Sequence, residues 1–125
     1  MPTIAIAAAP PLPTAGQRAV VLRLTRWLVE RGVRPERVVV RFDPAPDLYA
    51  GGWPVPRHTT VTCCVGPDRD GEFRAALAGH VATTLGGTGF LYLEFRTTSP
   101  ADVYVRAGHH LVRADQPRPV REETA

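Results

Sequence analysis

Residues 2–42, PTIAIAAAPPLPTAGQRAVVLRLTRWLVERGVRPERVVVRF, read as strand, helix, strand. Thr3 to Ala8 is a short apolar run ending at Pro10-Pro11, so a strand begins next to the N-terminus and Pro2 sits in a sheet. Thr14 and Gln17 match a capping box. Val20, Leu24, Trp27 and Leu28 then share one helical face until Gly32 supplies a C-terminal stop. Val38 to Phe42 is β-branched and apolar and makes a second strand.

Outward from this unit the pattern starts again. A loop rich in Pro, Asp and Gly runs from Asp43 to Pro56, and Thr59 to Val65 alternates Thr, Val and Cys as a third strand. Asp68 or Asp70 can cap a helix carrying Phe73, Leu77 and Val81. Gly86-Gly87 ends it, and Phe90 to Phe95 forms a fourth strand. Two strand-helix-strand halves of similar length predict an α+β fold: two β-α-β repeats forming one four-stranded mixed sheet, with both helices on one face. Residues 1–114 are expected to be a single domain, with a short extension around Val103 to Val105. Residues 115–125, polar and charged, are expected to be a flexible C-terminal tail.

Composition narrows the function. Hydrophobic residues make up 44% and charged residues 22% of the 125 positions, as in folded soluble proteins. No apolar run is long enough to span a membrane, and the first residues lack the basic stretch of a secretory signal, so a cytoplasmic location is expected. The net charge of +3 is spread without a basic stripe or aromatic platform, which argues against nucleic acid as a partner. All 15 basic residues are arginine, so no lysine is present for a Schiff base or an amine base. Cys63 and Cys64 are neighbours on a strand and point to opposite faces, so both are expected as buried thiols and not as a disulfide. His58, His80, His109 and His110 form no recognisable constellation. No Ser-hydrolase, zinc or dinucleotide motif is present, and no metal or cofactor is expected.

The basic amine left is the N-terminus. Removal of Met1, which a small second residue permits, turns Pro2 into a secondary amine whose reference pKa is about 8. An apolar pocket or a nearby arginine lowers it toward neutrality, where a general base works best. Arg69, in GPDRDGEF at the start of the second helix, can grip a carboxylate together with free backbone amides, or else salt-bridge Asp68 or Asp70 in solvent. Glu94, amid apolar neighbours, calls for a partner such as Arg41 or Arg96, or for a role in catalysis.

MPTI opening the first strand, the helix, PERVVVRF, and a Pro-rich loop closing on Tyr49-Ala50-Gly51-Gly52 before a second such unit resemble the tautomerase superfamily. The macrophage migration inhibitory factor branch has the same order of elements. The resemblance covers about residues 2–111 and implies a homotrimer with pockets between subunits, no cofactor, and an N-terminal proline that shuttles protons in keto-enol tautomerisation. By position, Tyr92 matches a pocket tyrosine of that branch and Glu94 falls where the family has an asparagine. Arg34 is a substitute for a lysine that this chain replaces with Val33, and Tyr49 with Leu48 is expected to wall the pocket. Arg69 matches the first of two arginines in the cis-3-chloroacrylic acid dehalogenase group, whereas Glu72 stands at the second.

The expected function is therefore a cofactor-free isomerase acting on a small carboxylate-bearing keto or enol acid. Pro2, Tyr92 and Glu94 would be catalytic, and Arg69 and Tyr49 would bind substrate. Two alternatives stand beside it. One is a hydratase or dehalogenase of an unsaturated acid, with Pro2 as the acid and Glu94 orienting water. The other is a non-catalytic trimeric binding protein of the same fold.

Overall fold

The computed structural model describes residues 2–116, so most of the expected tail lies outside it. Strand β1 (Thr3–Ala9) leads into helix α1 (Thr14–Val29), a 3-10 turn (Pro35–Arg37) and β2 (Val39–Asp43). A small hairpin, β3 (Tyr49–Ala50) and β4 (Trp53–Pro54), precedes the second unit of β5 (His58–Val65), α2 (Gly71–Leu85) and β6 (Phe90–Thr97). A 3-10 turn (Pro100–Asp102) and a second hairpin, β7 (Tyr104–Ala107) and β8 (His110–Arg113), follow. The four long strands form one mixed sheet in the order β2-β1-β5-β6. Within each unit the strands are parallel, and the units join where β1 runs antiparallel to β5, Ile4 opposite Cys63 and Ile6 opposite Val61.

Alternation along the strands decides which side is covered. Ile4, Ile6, Val61, Cys63 and Val65 point to the face that carries both helices and pack against Val20, Leu24, Leu28, Leu77 and Val81. Ala5, Thr60, Thr62 and Cys64 point to the opposite face, which no helix among the described residues covers. Corresponding core positions recur at one spacing: Ile4 and Val61, Ile6 and Cys63, Val20 and Leu77, Leu24 and Val81 are each 57 residues apart. The two β-α-β units are thus repeats in packing as well as in order.

The helix ends differ from the expected capping. Thr14 is the first helical residue and Pro13 the N-cap, with no side-chain cap. Gln17 reaches back with its amide to donate to the Leu12 carbonyl (3.2 Å), so no capping box forms. Pro13 has no N–H and a fixed φ, which suits it to stand where the chain turns into the helix. Beyond α1, Gly32 at φ 90° donates to the Val29 carbonyl and Val33 to the Leu28 carbonyl, a Schellman closure that buries Val33. In α2 the cap is Asp70, whose carboxylate accepts from the Phe73 N–H (2.8 Å). The expected loop 43–56 contains the β3-β4 hairpin, because Gly51 and Gly52 both take positive φ (58° and 84°) and close a two-residue turn.

Candidate active site

Pro2 precedes β1, a position where a proline gives up no ladder hydrogen bond. It is buried, and its carbonyl accepts from the Val39 N–H (3.2 Å), which ties it to β2. Because β1 and β5 run antiparallel, the start of one lies beside the end of the other, and Pro2 meets the turn that leads from β5 into α2. A cavity of about 110 Å³ forms there, lined by Pro2, Val65, Gly66, Asp68, Arg69, Phe73 and Pro100. The turn is held by the Arg69 N–H donating to the Gly66 carbonyl (3.2 Å), and the Arg69 guanidinium lies over the Phe73 ring, 4.6 Å from its centroid.

Arg69 has no carboxylate partner among the described residues. Asp70, one of its expected partners, is committed to the cap of α2. Asp68, the other, lines the same cavity without pairing to it. The cavity therefore holds one unneutralised guanidinium, one carboxylate and the pyrrolidine ring of Pro2, walled by Val65, Phe73 and Pro100. Such a set can orient a small acid by its carboxylate and hold a basic nitrogen next to the rest of it.

The other expected site residues lie elsewhere in the chain. Tyr92 and Glu94 pair in register with Thr60 and Thr62, on the uncovered face of the sheet. Pro2 lies beyond the end of the sheet where Val65 pairs with Thr97, so Glu94 is about 10 Å and Tyr92 about 16 Å back along β6 at roughly 3.3 Å per residue. Glu94 is half-buried among polar side chains, not enclosed by apolar ones, and accepts from Arg96 Nη2 (3.1 Å). Tyr49 is 65% exposed on the β3-β4 hairpin and Arg34 is paired with Glu36 (2.8 Å). Neither lines the Pro2 cavity. A single chain thus brings Pro2 and Arg69 together and leaves Tyr49, Tyr92 and Glu94 apart from them.

No protein-family model matches the sequence, and no curated protein matches it. Solved structures do match its fold. The structure of Pt0534 inactivated by 2-oxo-3-pentynoate superposes with a TM-score of 0.70 at 17% identity, over 85% of this chain and 93% of that one. Macrophage migration inhibitory factor of Toxoplasma gondii gives 0.68 at 16%, over 88% and 99%. A fused 4-OT, solved as an asymmetric trimer, gives 0.68 at 16%, over 90% and 97%. The chain has the tautomerase-superfamily fold. In this tautomerase fold the strand-to-helix turn of the second unit delivers Asp68 and Arg69 to Pro2, the start of α2 delivers Phe73, and the 3-10 turn after β6 delivers Pro100. The sequence pointed to Arg69, offered Asp68 as a helix cap or a salt-bridge partner, and gave Phe73 as a packed position of α2; Phe73 does pack against the core and also lines the cavity. The signal for Phe73 was its place in the first turn of α2, just after the Asp70 cap, which sets its ring beside the Arg69 guanidinium.

Proposed function

We propose that the chain, once Met1 is removed, is a cofactor-free tautomerase that moves a proton on a small keto or enol carboxylate. The observation that carries this reading is the meeting of Pro2 and an unpaired Arg69 on one small cavity, 67 positions apart in sequence. The amine of Pro2 takes the proton from the carbon beside the carbonyl and returns it to the other end of the enol system. Arg69 holds the substrate carboxylate and, as a nearby cation, disfavours protonation of the amine, which keeps the base available near neutral pH. Burial of Pro2 acts in the same direction.

Tyr92 and Glu94 enter the reading through assembly. We infer that copies associate as a homotrimer over the uncovered sheet faces, which lets Tyr92 and Glu94 of one subunit polarise the Pro2 pocket of the next. The fused 4-OT neighbours solved as trimers support this arrangement. Tyr49, with Leu48, would wall that composite pocket from its exposed hairpin.

Asp68 favours a second reading. A carboxylate beside Pro2 stabilises the protonated amine, the form needed to donate a proton while water adds to an unsaturated acid, with Glu94 orienting the water. Pt0534, which shares the fold, is inactivated by 2-oxo-3-pentynoate, an acetylenic keto acid of the class that such an addition would take.

Intact mass and phenylenolpyruvate ketonisation, measured together on the wild type and on Pro2→Ala, test the first reading. Mature protein should lack Met1, and the variant should lose about 10²-fold or more in rate, the contribution of a positioned acid-base group. Retained Met1 with full activity, or a fully active Pro2→Ala, would sink the assignment. Hydration of 2-oxo-3-pentynoate without ketonisation would move the case to the second reading.

A further inference from the structure

A second cavity, about 300 Å³, opens at the opposite end of the sheet, between the start of β5 and the loop that joins α2 to β6. Its position follows from the repeat. Counting back 57 residues from Val65, Gly66 and Arg69, which line the Pro2 pocket, gives Ala8, Ala9 and Leu12, which line this one. Counting forward from Pro2 gives Thr59, also on its wall. The second unit therefore builds the same kind of pocket as the first with different chemistry. No chain terminus can supply an amine at Thr59, and Leu12 replaces the arginine.

What takes their place is Arg57 and His58. His58 is 95% buried, and its Nδ1 is enclosed with no hydrogen-bond partner among the described residues. A stranded acceptor nitrogen costs less than a stranded N–H, so the neutral ring favours the tautomer with its proton on Nε2. Nε2 also makes no hydrogen bond among the described residues, and it is not among the fully enclosed polar atoms. His58 thus brings a ring without hydrogen-bond partners among the described residues to the lining of the cavity, next in sequence to the exposed Arg57. The remaining wall is largely apolar, with Leu12, Leu85 and Phe90. Gly89 lets the loop close down, since a Cβ there would stand 3.3 Å from the Arg57 carbonyl oxygen.

We propose that this cavity is a second ligand site, which takes a small monocarboxylate with an apolar tail. Arg57 and the His58 N–H bind the carboxylate, and Leu12, Leu85 and Phe90 receive the tail. The carbonyl end of α2 borders the cavity through Leu85 and Gly86, and its negative pole opposes an anion there, so the carboxylate is held at the Arg57 side and a second one is disfavoured. The site is independent of Pro2 and binds without turnover.

Titration of the full-length protein, followed through the ring resonances of its four histidines, tests this with benzoate as probe and benzamide as its uncharged counterpart. Benzoate should shift the His58 ring saturably and benzamide should not. Arg57→Ala, which removes an exposed side chain and leaves ketonisation unchanged, should weaken benzoate about tenfold. Arg69→Ala, which disables the Pro2 pocket, should leave the His58 response intact. An unmoved His58 ring, an equal response to benzamide, an affinity unaffected by Arg57→Ala, or a response that vanishes with Arg69→Ala would each overturn the proposal.

Discussion

Arg69 is the charge on which substrate binding turns in the proposed reaction, and its geometry makes the role testable. With no carboxylate to neutralise it, truncation to Ala frees no buried partner and should leave folding nearly unchanged, while KM for a keto carboxylate rises roughly 10- to 100-fold, the worth of a charge-assisted contact. Steady-state ketonisation kinetics check this, and an unchanged KM would place the carboxylate elsewhere. Cys63 gives a second residue-scale prediction. Burial, and secondarily the neighbouring Cys64 thiol, pushes it up from 9.0 to about 12. The unfolded thiol ionises near 9 while the folded one keeps its proton, so its contribution is complete below pH 9 and drains away between 9 and 12, by up to about 4 kcal/mol. Urea midpoints at pH 8 and 10.5 should therefore fall more in the wild type than in Cys63→Ala; parallel declines would show that the thiol is not responsible. The opposed faces of Cys63 and Cys64 could be read from strand alternation alone, as could the pairing of a terminal proline with Arg69 from resemblance. His58 could not. Whether a histidine is enclosed and unpartnered depends on the residues that the fold brings around it, and nothing local in Arg57-His58-Thr59 encodes that.

Elements were legible where a period ran long enough to be counted. The 3.6-residue stripe through Val20, Leu24 and Leu28 and the alternation through Val61, Cys63 and Val65 each bury a full side, and burial is what enforces the period. The two hairpins escaped because strands of two to four residues hold too few positions to show any period; only Gly51-Gly52 and Gly108, all at positive φ, marked their turns. The termini were read less well than the interiors, since Ser/Thr and Gln at helix-start spacing do not reveal whether proline will take the cap. This difference predicts an asymmetry. Asp70→Ala removes a carboxylate that accepts a backbone N–H and should cost about 1 kcal/mol, whereas Thr14→Ala removes no cap and should be neutral or slightly stabilising, alanine being the better helix former. Urea unfolding of the two variants measures both. A Thr14→Ala loss as large as that of Asp70→Ala would restore the capping box in solution.

At the scale of the whole molecule the uncovered sheet face governs what one chain can do alone. Among the described residues, helices occupy one side of the sheet, β2 and β6 are its unpaired edges, and Tyr92 and Glu94 stand on the side without helices, away from the chain's own Pro2. If both residues act on catalysis, they act across an interface, and a heterologous ring of three closes that geometry with each pocket shared by two subunits. Sedimentation should then give a species near three times 13.6 kDa. Complementation tests the sharing directly. Pro2→Ala and Glu94→Ala should each be weakly active, since one lacks the amine and the other the polarising carboxylate. When the two are co-refolded in equal amounts, a pocket is complete if its Pro2 comes from a Glu94→Ala subunit and its Glu94 from a Pro2→Ala subunit. Random assembly makes that combination at about a quarter of pockets, so ketonisation should recover to about a quarter of the wild-type rate. No recovery from a mixed trimer would confine the chemistry to groups within one chain, leaving Pro2, Arg69 and Asp68 to carry it and Glu94 to its surface pair with Arg96.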